Sequence, residues 1–237
     1  MNDEQGIYCH QAEQYETLIS REDYQGNLQK TITAILPLAG LSVLELGAGT
    51  RRLTRLLAPY AHYIIGLDLS LPALDIARQK LSQAGFDHFA MAAADHCHLP
   101  VKDDTANLII AGWSLCYLVS PGTDELCPDW QHSLITVFKE IMRTLCPGGT
   151  IILIETLGTG FERPHPPEQL KNYFQWLNIN GFSSTWTRTD YRFASLSEAE
   201  ELTRFFFGER TAQQVVTNEW TILPECTGIW WKKDIEL

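Results

Sequence analysis

Val43-Leu-Glu-Leu-Gly-Ala-Gly49 carries a short apolar run straight into a pair of glycines. It reads as a buried strand that turns sharply into a helix. Glycine accepts the left-handed backbone such a turn needs, and its missing Cβ lets a ligand lie against the main chain. The helix behind the turn offers free N–H groups and the positive end of its dipole. A tight strand–helix turn with no ligand carries the same signature, so the rest of the chain must decide between the two.

Outward from that turn, apolar runs alternate with amphipathic stretches. Leu41–Leu46, Tyr63–Leu67, a weaker Phe89–Met91, Asn107–Ala111 and Thr150–Glu155 read as five strands. Between them, Leu53, Leu56 and Leu57 share one helical face, as do Leu74, Ala77 and Leu81, and again Leu134, Val137, Phe138, Ile141 and Leu145. Strands alternating with helices imply right-handed crossovers and a mainly parallel sheet covered on both faces. Further on, Glu168–Asn180 reads as a helix and Ser183–Phe193 as a strand. Ser197 is expected to cap a helix over Glu198–Phe207, a second helical stretch runs to Thr217, and Thr227–Lys232 closes as a strand. The expectation is a doubly wound α/β domain with a seven-stranded, mostly parallel sheet and an antiparallel last strand. Residues 1–40 form an N-terminal helical cap carrying Tyr8, Tyr15 and Tyr24; 41–156 form the core. Residues 157–237 form an elaboration with helices inserted between the last two strands.

Composition narrows the function. The 237 residues suit one large domain, and 45% hydrophobic content is ordinary for a globular protein. No apolar run approaches the roughly 20 residues that span a bilayer, and Met1–Gln14 is too polar for a secretory leader, so a cytoplasmic protein with no membrane partner is expected. A net charge of −11, with no basic track longer than Arg51-Arg52 with Arg55 or Lys232-Lys233, argues against a nucleic-acid partner. The six cysteines form no C-x-x-C pair and read as free thiols. His96-Cys97-His98 is a poor chelate because neighbours on an extended chain point apart, and no metal is expected.

Two carboxylates favour a ligand at the glycine turn. Asp68 ends the second strand about 20 residues beyond it, where an acidic side chain can accept from both ribose hydroxyls. Asp95 ends the third segment, where a carboxylate can accept from an adenine amino group. Parallel strands bring their carboxyl ends to one crevice, so the pair describes a nucleoside lying along the sheet edge.

These residues resemble the class I S-adenosylmethionine-dependent methyltransferases from about Leu41 to Glu155. Glu45-Leu-Gly-Ala-Gly49 is similar to the family's first motif and Ile65-Gly-Leu-Asp68-Leu-Ser70 to its ribose motif. Asp95-His96 with Leu99-Pro100 resembles the adenine segment, and Lys139 to Gly149, with its Pro-Gly-Gly, the approach to the fifth strand. The resemblance implies S-adenosyl-L-methionine as cofactor, S-adenosyl-L-homocysteine as product and a small-molecule methyl acceptor. It implies that Gly47, Ala48 and Gly49, in the motif that Glu45 opens, contact the methionine part. Asp68 would then hold the ribose and Leu69 lie against the adenine. Asp95 would accept from its amino group, and the His96 backbone would donate to the ring. Trp113 would stand where the methyl group lies, or serve as a core tryptophan, and Tyr15 would close the methionine end. The chain departs from the family at Arg51, where a third glycine is common. An arginine there can pair with the methionine carboxylate or point into solvent. The outward course is the expected one, and it limits Arg51→Gly to less than about a threefold change in affinity, below the usual worth of a charged hydrogen bond.

The acceptor stays open. Ala111-Gly-Trp-Ser114 lacks the Asn/Asp-Pro-Pro-Tyr segment of enzymes that methylate base or glutamine amino groups, and Cys127-Pro128 and Cys146-Pro147 reverse the Pro-Cys order of cytosine carbon methyltransferases. Trp176, Phe182 and Trp186 are candidates for an acceptor wall. Tyr117, His132, Glu155 and His165 are candidate bases, and no motif singles one out. Two other readings stand beside this one. A nicotinamide-dependent oxidoreductase would need glycine at Arg52 and leaves Asp95 unexplained. A cofactor-binding regulator without catalysis would share the same motifs.

Overall fold

The computed structural model describes residues 11–120 and 126–233. Before the sheet lie α1 (Ala12–Ile19) and α2 (Asn27–Ile35). The core runs β1 (Ser42–Leu46), α3 (Thr54–Leu57), β2 (Tyr63–Asp68), α4 (Leu71–Gln83), β3 (Phe89–Ala93) and β4 (Ala106–Gly112). It continues through α5 (Cys116–Val119), α6 (Trp130–Thr144) and β5 (Leu145–Thr159). After a 3₁₀ turn come α7 (Lys171–Ile179), β6 (Ser183–Arg188), β7 (Tyr191–Arg192), α8 (Leu196–Phe207), α9 (Glu209–Thr217), β8 (Ile222–Leu223) and β9 (Glu225–Lys232). Among these described residues no helix is long and apolar enough to cross a membrane.

Seven strands form one sheet in the order β3-β2-β1-β4-β5-β9-β6. The first five are parallel; β9 inserts antiparallel between β5 and β6, as expected for the last strand. Alternation along each strand explains the two-faced core. Leu44, Leu46, Ile109, Ala111, Ile151 and Leu153 face α6 and α7, while Val43, Leu108, Ile110, Ile152 and Ile154 face α2 and α4. The central strands β1, β4 and β5 are therefore buried on both faces, as a doubly covered sheet requires, while the edge strand β6 is polar and mostly exposed.

Two expectations shift in detail. The run Ser183–Phe193 is not one strand. It leaves the sheet after Arg188, because Asp190 Oδ1 accepts from both Arg188 Nε and the Glu225 backbone N–H and holds a bend there. Tyr191–Arg192 then pairs with Ile222–Leu223 in a separate ribbon. The helix after it is capped by Ser195, not Ser197: the Ser195 hydroxyl accepts from Glu198 N at 3.1 Å. Tyr8 lies outside the described residues.

Candidate cofactor crevice

The two glycines of the turn are needed for different reasons. Gly47 sits at φ +73° and Gly49 at φ +53°, both left-handed. A Cβ on Gly47 would lie 2.3 Å from Ser114 Cβ, so this glycine lets the turn pack under the loop after β4. A Cβ on Gly49 would meet nothing within 4 Å and would project into open space. The turn is tied to β2 by Gly47 N and Ala48 N, which both donate to Leu67 O. Beneath it, buried Glu45 accepts from Thr54 Oγ1 at 2.6 Å, and burial pushes its carboxyl up to about 8. Glu45 thus braces the turn from below.

Asp68 bridges the ends of β1 and β2. Its Oδ2 accepts from Gly49 N and its Oδ1 from Ser70 N, both at 2.8 Å. A carboxylate oxygen has two lone-pair sites, so each keeps one for a ligand. Leu69 beside it is 69% exposed, unusual for a leucine in an ordered turn. One strand further, exposed Asp95 accepts from Cys97 N at 2.8 Å. His96 Nδ1 is shut off from solvent with no partner among the described residues, and burial holds the imidazole below its usual range, against the pull of the Asp68 and Asp95 charges. Thr50 Oγ1 is likewise buried without a partner. Open space over Gly49, carboxylates on adjacent strand ends, an exposed leucine and two orphaned polar atoms fit a nucleoside joined to an amino acid.

The other expected residues lie as follows. Trp113, at φ +48°, donates its backbone N–H to Ile154 O at 2.7 Å, and the Arg52 guanidinium lies 3.1 Å from its ring centroid. Tyr15 is buried on α1 with its ring 5.3 Å from that of Phe206. Arg51 does not take the solvated course expected of it. Its φ of +91° is strained for a side-chain residue, at a cost of about 1–3 kcal/mol, and its guanidinium reaches Glu16 of α1 at 3.4 Å.

The candidate bases separate. His132 and His165 are exposed, His165 stacked on Phe161, and Tyr117 is half-buried on α5. Glu155 is buried at the carboxyl end of β5, where Oε1 accepts from Cys116 N at 3.1 Å and from the Tyr173 hydroxyl at 3.3 Å. Burial pushes it up to about 8, so it is protonated at neutral pH. Glu225, which no motif marked, lies on the other side, accepts from Thr156 Oγ1 at 2.8 Å and is pushed up to about 7 by burial. The signal for Glu155 was a carboxylate ending a strand-like apolar run; Glu225 instead opens its strand. The proposed aromatic wall is elsewhere. Trp176 and Phe182 line a cavity of about 660 Å³ with Phe138 and Ile151, at the amino ends of the parallel strands and away from the crevice. Trp186 is 44% exposed on the edge strand β6.

Residues 44–153 match the methyltransferase domain family. A demethylmenaquinone methyltransferase from Clavibacter sepedonicus is 30% identical over 145 residues, covering 60% of this chain and 50% of that protein. One from Lactiplantibacillus plantarum is 28% identical over 209 residues, covering 85% and 80%. Over its core this chain is similar to methyltransferases, in keeping with the resemblance to the class I S-adenosylmethionine-dependent enzymes. Among solved structures, the YcgJ protein of Bacillus subtilis has the same fold, with a TM-score of 0.57 at 15% identity over 88% of this chain and 97% of that one. The match spans about half the length of the Clavibacter relative. The methyltransferase match runs from within β1 to within β5 and takes in every crevice residue from Glu45 to Trp113; Tyr15, Glu155 and Glu225 lie outside it.

Proposed function

We propose that this chain binds S-adenosylmethionine along the carboxyl edge of β1–β3 and transfers its methyl group to a small molecule. The observation that carries the reading is the bond from Gly49 N to Asp68 Oδ2, which fixes an open turn and a carboxylate in one rigid frame. In that frame Asp68 holds the ribose hydroxyls and Leu69 covers one face of the adenine. Asp95 accepts from the adenine amino group, and the His96 backbone donates to the ring. Gly47, Ala48 and Gly49 cradle the methionine part, with Tyr15 and Trp113 at its end. The cofactor, when bound, supplies a methyl already activated on a sulfonium. What the chain adds is alignment, which can contribute roughly 7–11 kcal/mol, against roughly 3–5 for a general base. Glu155, protonated at neutral pH, is suited to donating a hydrogen bond rather than taking a proton. We assign no base.

The relatives named above are demethylmenaquinone methyltransferases, which supports a small-molecule acceptor. The reading includes a cytoplasmic protein, without nucleic-acid or membrane partners, built as one domain with the three-part division given above. Calorimetry tests it directly: S-adenosylmethionine and S-adenosylhomocysteine bind, and NAD does not. Micromolar NAD binding with no response to either sulfur cofactor sinks it. Asp68→Ala is expected to weaken S-adenosylhomocysteine by about 10- to 150-fold, roughly 1.5–3 kcal/mol for bonds to a charged group. Transfer of labelled methyl into a metabolite extract identifies the acceptor. Cofactor binding with no transfer to any metabolite would favour the regulator instead.

A further inference from the structure

The residues around the crevice divide into two apolar bodies joined by a charged seam. One body is the two-faced core of the sheet. The other is a separate cluster in which α1 packs on the C-terminal elaboration: Leu18 joins Tyr191, Phe193 and Leu202, while Tyr15 and Ile19 pack on Phe205 and Phe206 of α8. Just past α1, Arg21 pairs with Glu198 of α8 at 2.7 Å, and its carbonyl accepts from Arg192 N at 2.8 Å. By its packing, α1 belongs with α8.

Toward the core, the same segment offers charge. Glu16, 9% exposed, meets two cations: Lys80 of α4 at 2.9 Å and Arg51 at 3.4 Å. Glu22 pairs with Arg52, whose guanidinium covers Trp113. These partners stand on the turn after β1 and on the helix after β2, the elements that frame the cofactor crevice. An apolar contact is lost only by exposing its whole area to water, whereas water solvates the separated halves of a part-exposed ion pair. Arg51 and Lys80 are themselves partly solvated, so the Glu16 end of the seam, rather than the buried Glu22–Arg52 pair, is where the two bodies part most easily. Arg51 keeps a left-handed backbone that glycine would hold without strain, and its side chain spends that conformation on Glu16.

We propose that α1 and α8 act together as a lid on the cofactor crevice, and that Arg51 is a positioning residue that latches it through Glu16, with Lys80 completing the triad. The proposal rests on the cofactor reading above for what the lid covers. The threefold ceiling expected of an outward Arg51 no longer applies.

The test is a double-mutant cycle on full-length protein, read by the rate of S-adenosylhomocysteine release. Arg51→Gln and Glu16→Gln are each expected to speed release about fivefold, on the scale of a part-exposed ion pair, with most affinity change in the off-rate. The double variant should release no faster than the faster single, and Arg51→Lys should restore most of the retention. Raising salt from about 0.05 to 0.5 M should speed release from the wild type more than from either variant. A second readout needs no cofactor: amide exchange over Ala12–Ile19 should rise in both single variants. If Arg51→Gln speeds release as much in the Glu16→Gln background as alone, Arg51 acts on the cofactor itself and the latch is overturned. Unchanged release and exchange overturn it too. If the wild type binds no S-adenosylhomocysteine, the cofactor reading falls, and the exchange experiment still decides whether Arg51 and Glu16 hold α1 down.

Discussion

The proposed cofactor crevice and the C-terminal elaboration place their polar groups in opposite ways. At the crevice the main chain does it. Gly49 N and Ser70 N hold Asp68, Cys97 N holds Asp95, and Gly47 N and Ala48 N tie the turn to β2. In the elaboration and along its border, side chains bond to side chains brought in by other elements. Glu155 meets Tyr173, Glu225 meets Thr156, and Arg21 meets Glu198. A site built from backbone needs particular residues at particular strand ends. A site built from side chains needs only that partners arrive. The first leaves a motif behind and the second does not.

The sharpest way to break that contrast is to put a side chain into the turn. Gly47→Ala is expected to cost about 2–4 kcal/mol of stability, from overpacking against Ser114 and a left-handed backbone together. Gly49→Ala, with open space before it, should cost only about 1–2 kcal/mol from its backbone conformation, yet weaken S-adenosylhomocysteine about tenfold because its methyl occupies ligand space. Urea unfolding and calorimetry on the two variants separate the effects. Equal stability losses with equal affinities would mean that both glycines serve the fold alone.

A second test concerns the side-chain-built half. Glu155 is pushed up to about 8 by burial, so the folded protein binds a proton there that the unfolded chain releases near 4.5. Its contribution to stability therefore falls as pH rises from about 4.5 toward 8, where it levels off. Glu155→Gln keeps the shape without the ionisation. Relative to wild type, it should be near neutral at pH 5 and more stable at pH 8.5 by about 1–3 kcal/mol. Denaturant midpoints at the two pH values check this. A variant destabilised equally at both would show that Glu155 is ionised throughout and held by its two donors.

The same contrast explains how far the sequence could be read. The seven strands, the antiparallel last one and the turn with its two aspartates were legible, because period and glycine placement encode them locally. The course of Arg51 was not, because Glu16 comes from a helix whose position follows from its packing on α8. The aromatic wall was misplaced for a reason that topology supplies. β6 lies parallel to β5, so α7 must carry the chain back to the amino end of the sheet before β6 begins. Phe182, just ahead of β6, then falls at the end opposite the crevice, and Trp176 in the last turns of α7 goes with it.

The smallest expected effect lies at the start of α8, where two serines compete for one cap. Leu196 packs against the second apolar body, so the helix must begin by Leu196 and the cap falls to Ser195. The Ser195 hydroxyl accepts from Glu198 N at 3.1 Å, and the Glu198 carboxylate accepts in turn from Ala194 N. That bond, with Arg21 adding to it, holds Glu198 below the usual carboxylate range. Ser195→Ala should therefore lower stability by about 1 kcal/mol, the usual worth of a cap, and Ser197→Ala by under about 0.5. Both should leave S-adenosylhomocysteine affinity within about twofold, since the tie from this body to the crevice runs through Glu16 and Glu22 rather than through the start of α8. Thermal melts with calorimetry on the pair decide it. A larger loss from Ser197→Ala would return the cap to the position first expected. A clear loss of cofactor affinity from Ser195→Ala would mean that the order of α8 is felt at the crevice, and that its hold is not confined to the charged seam.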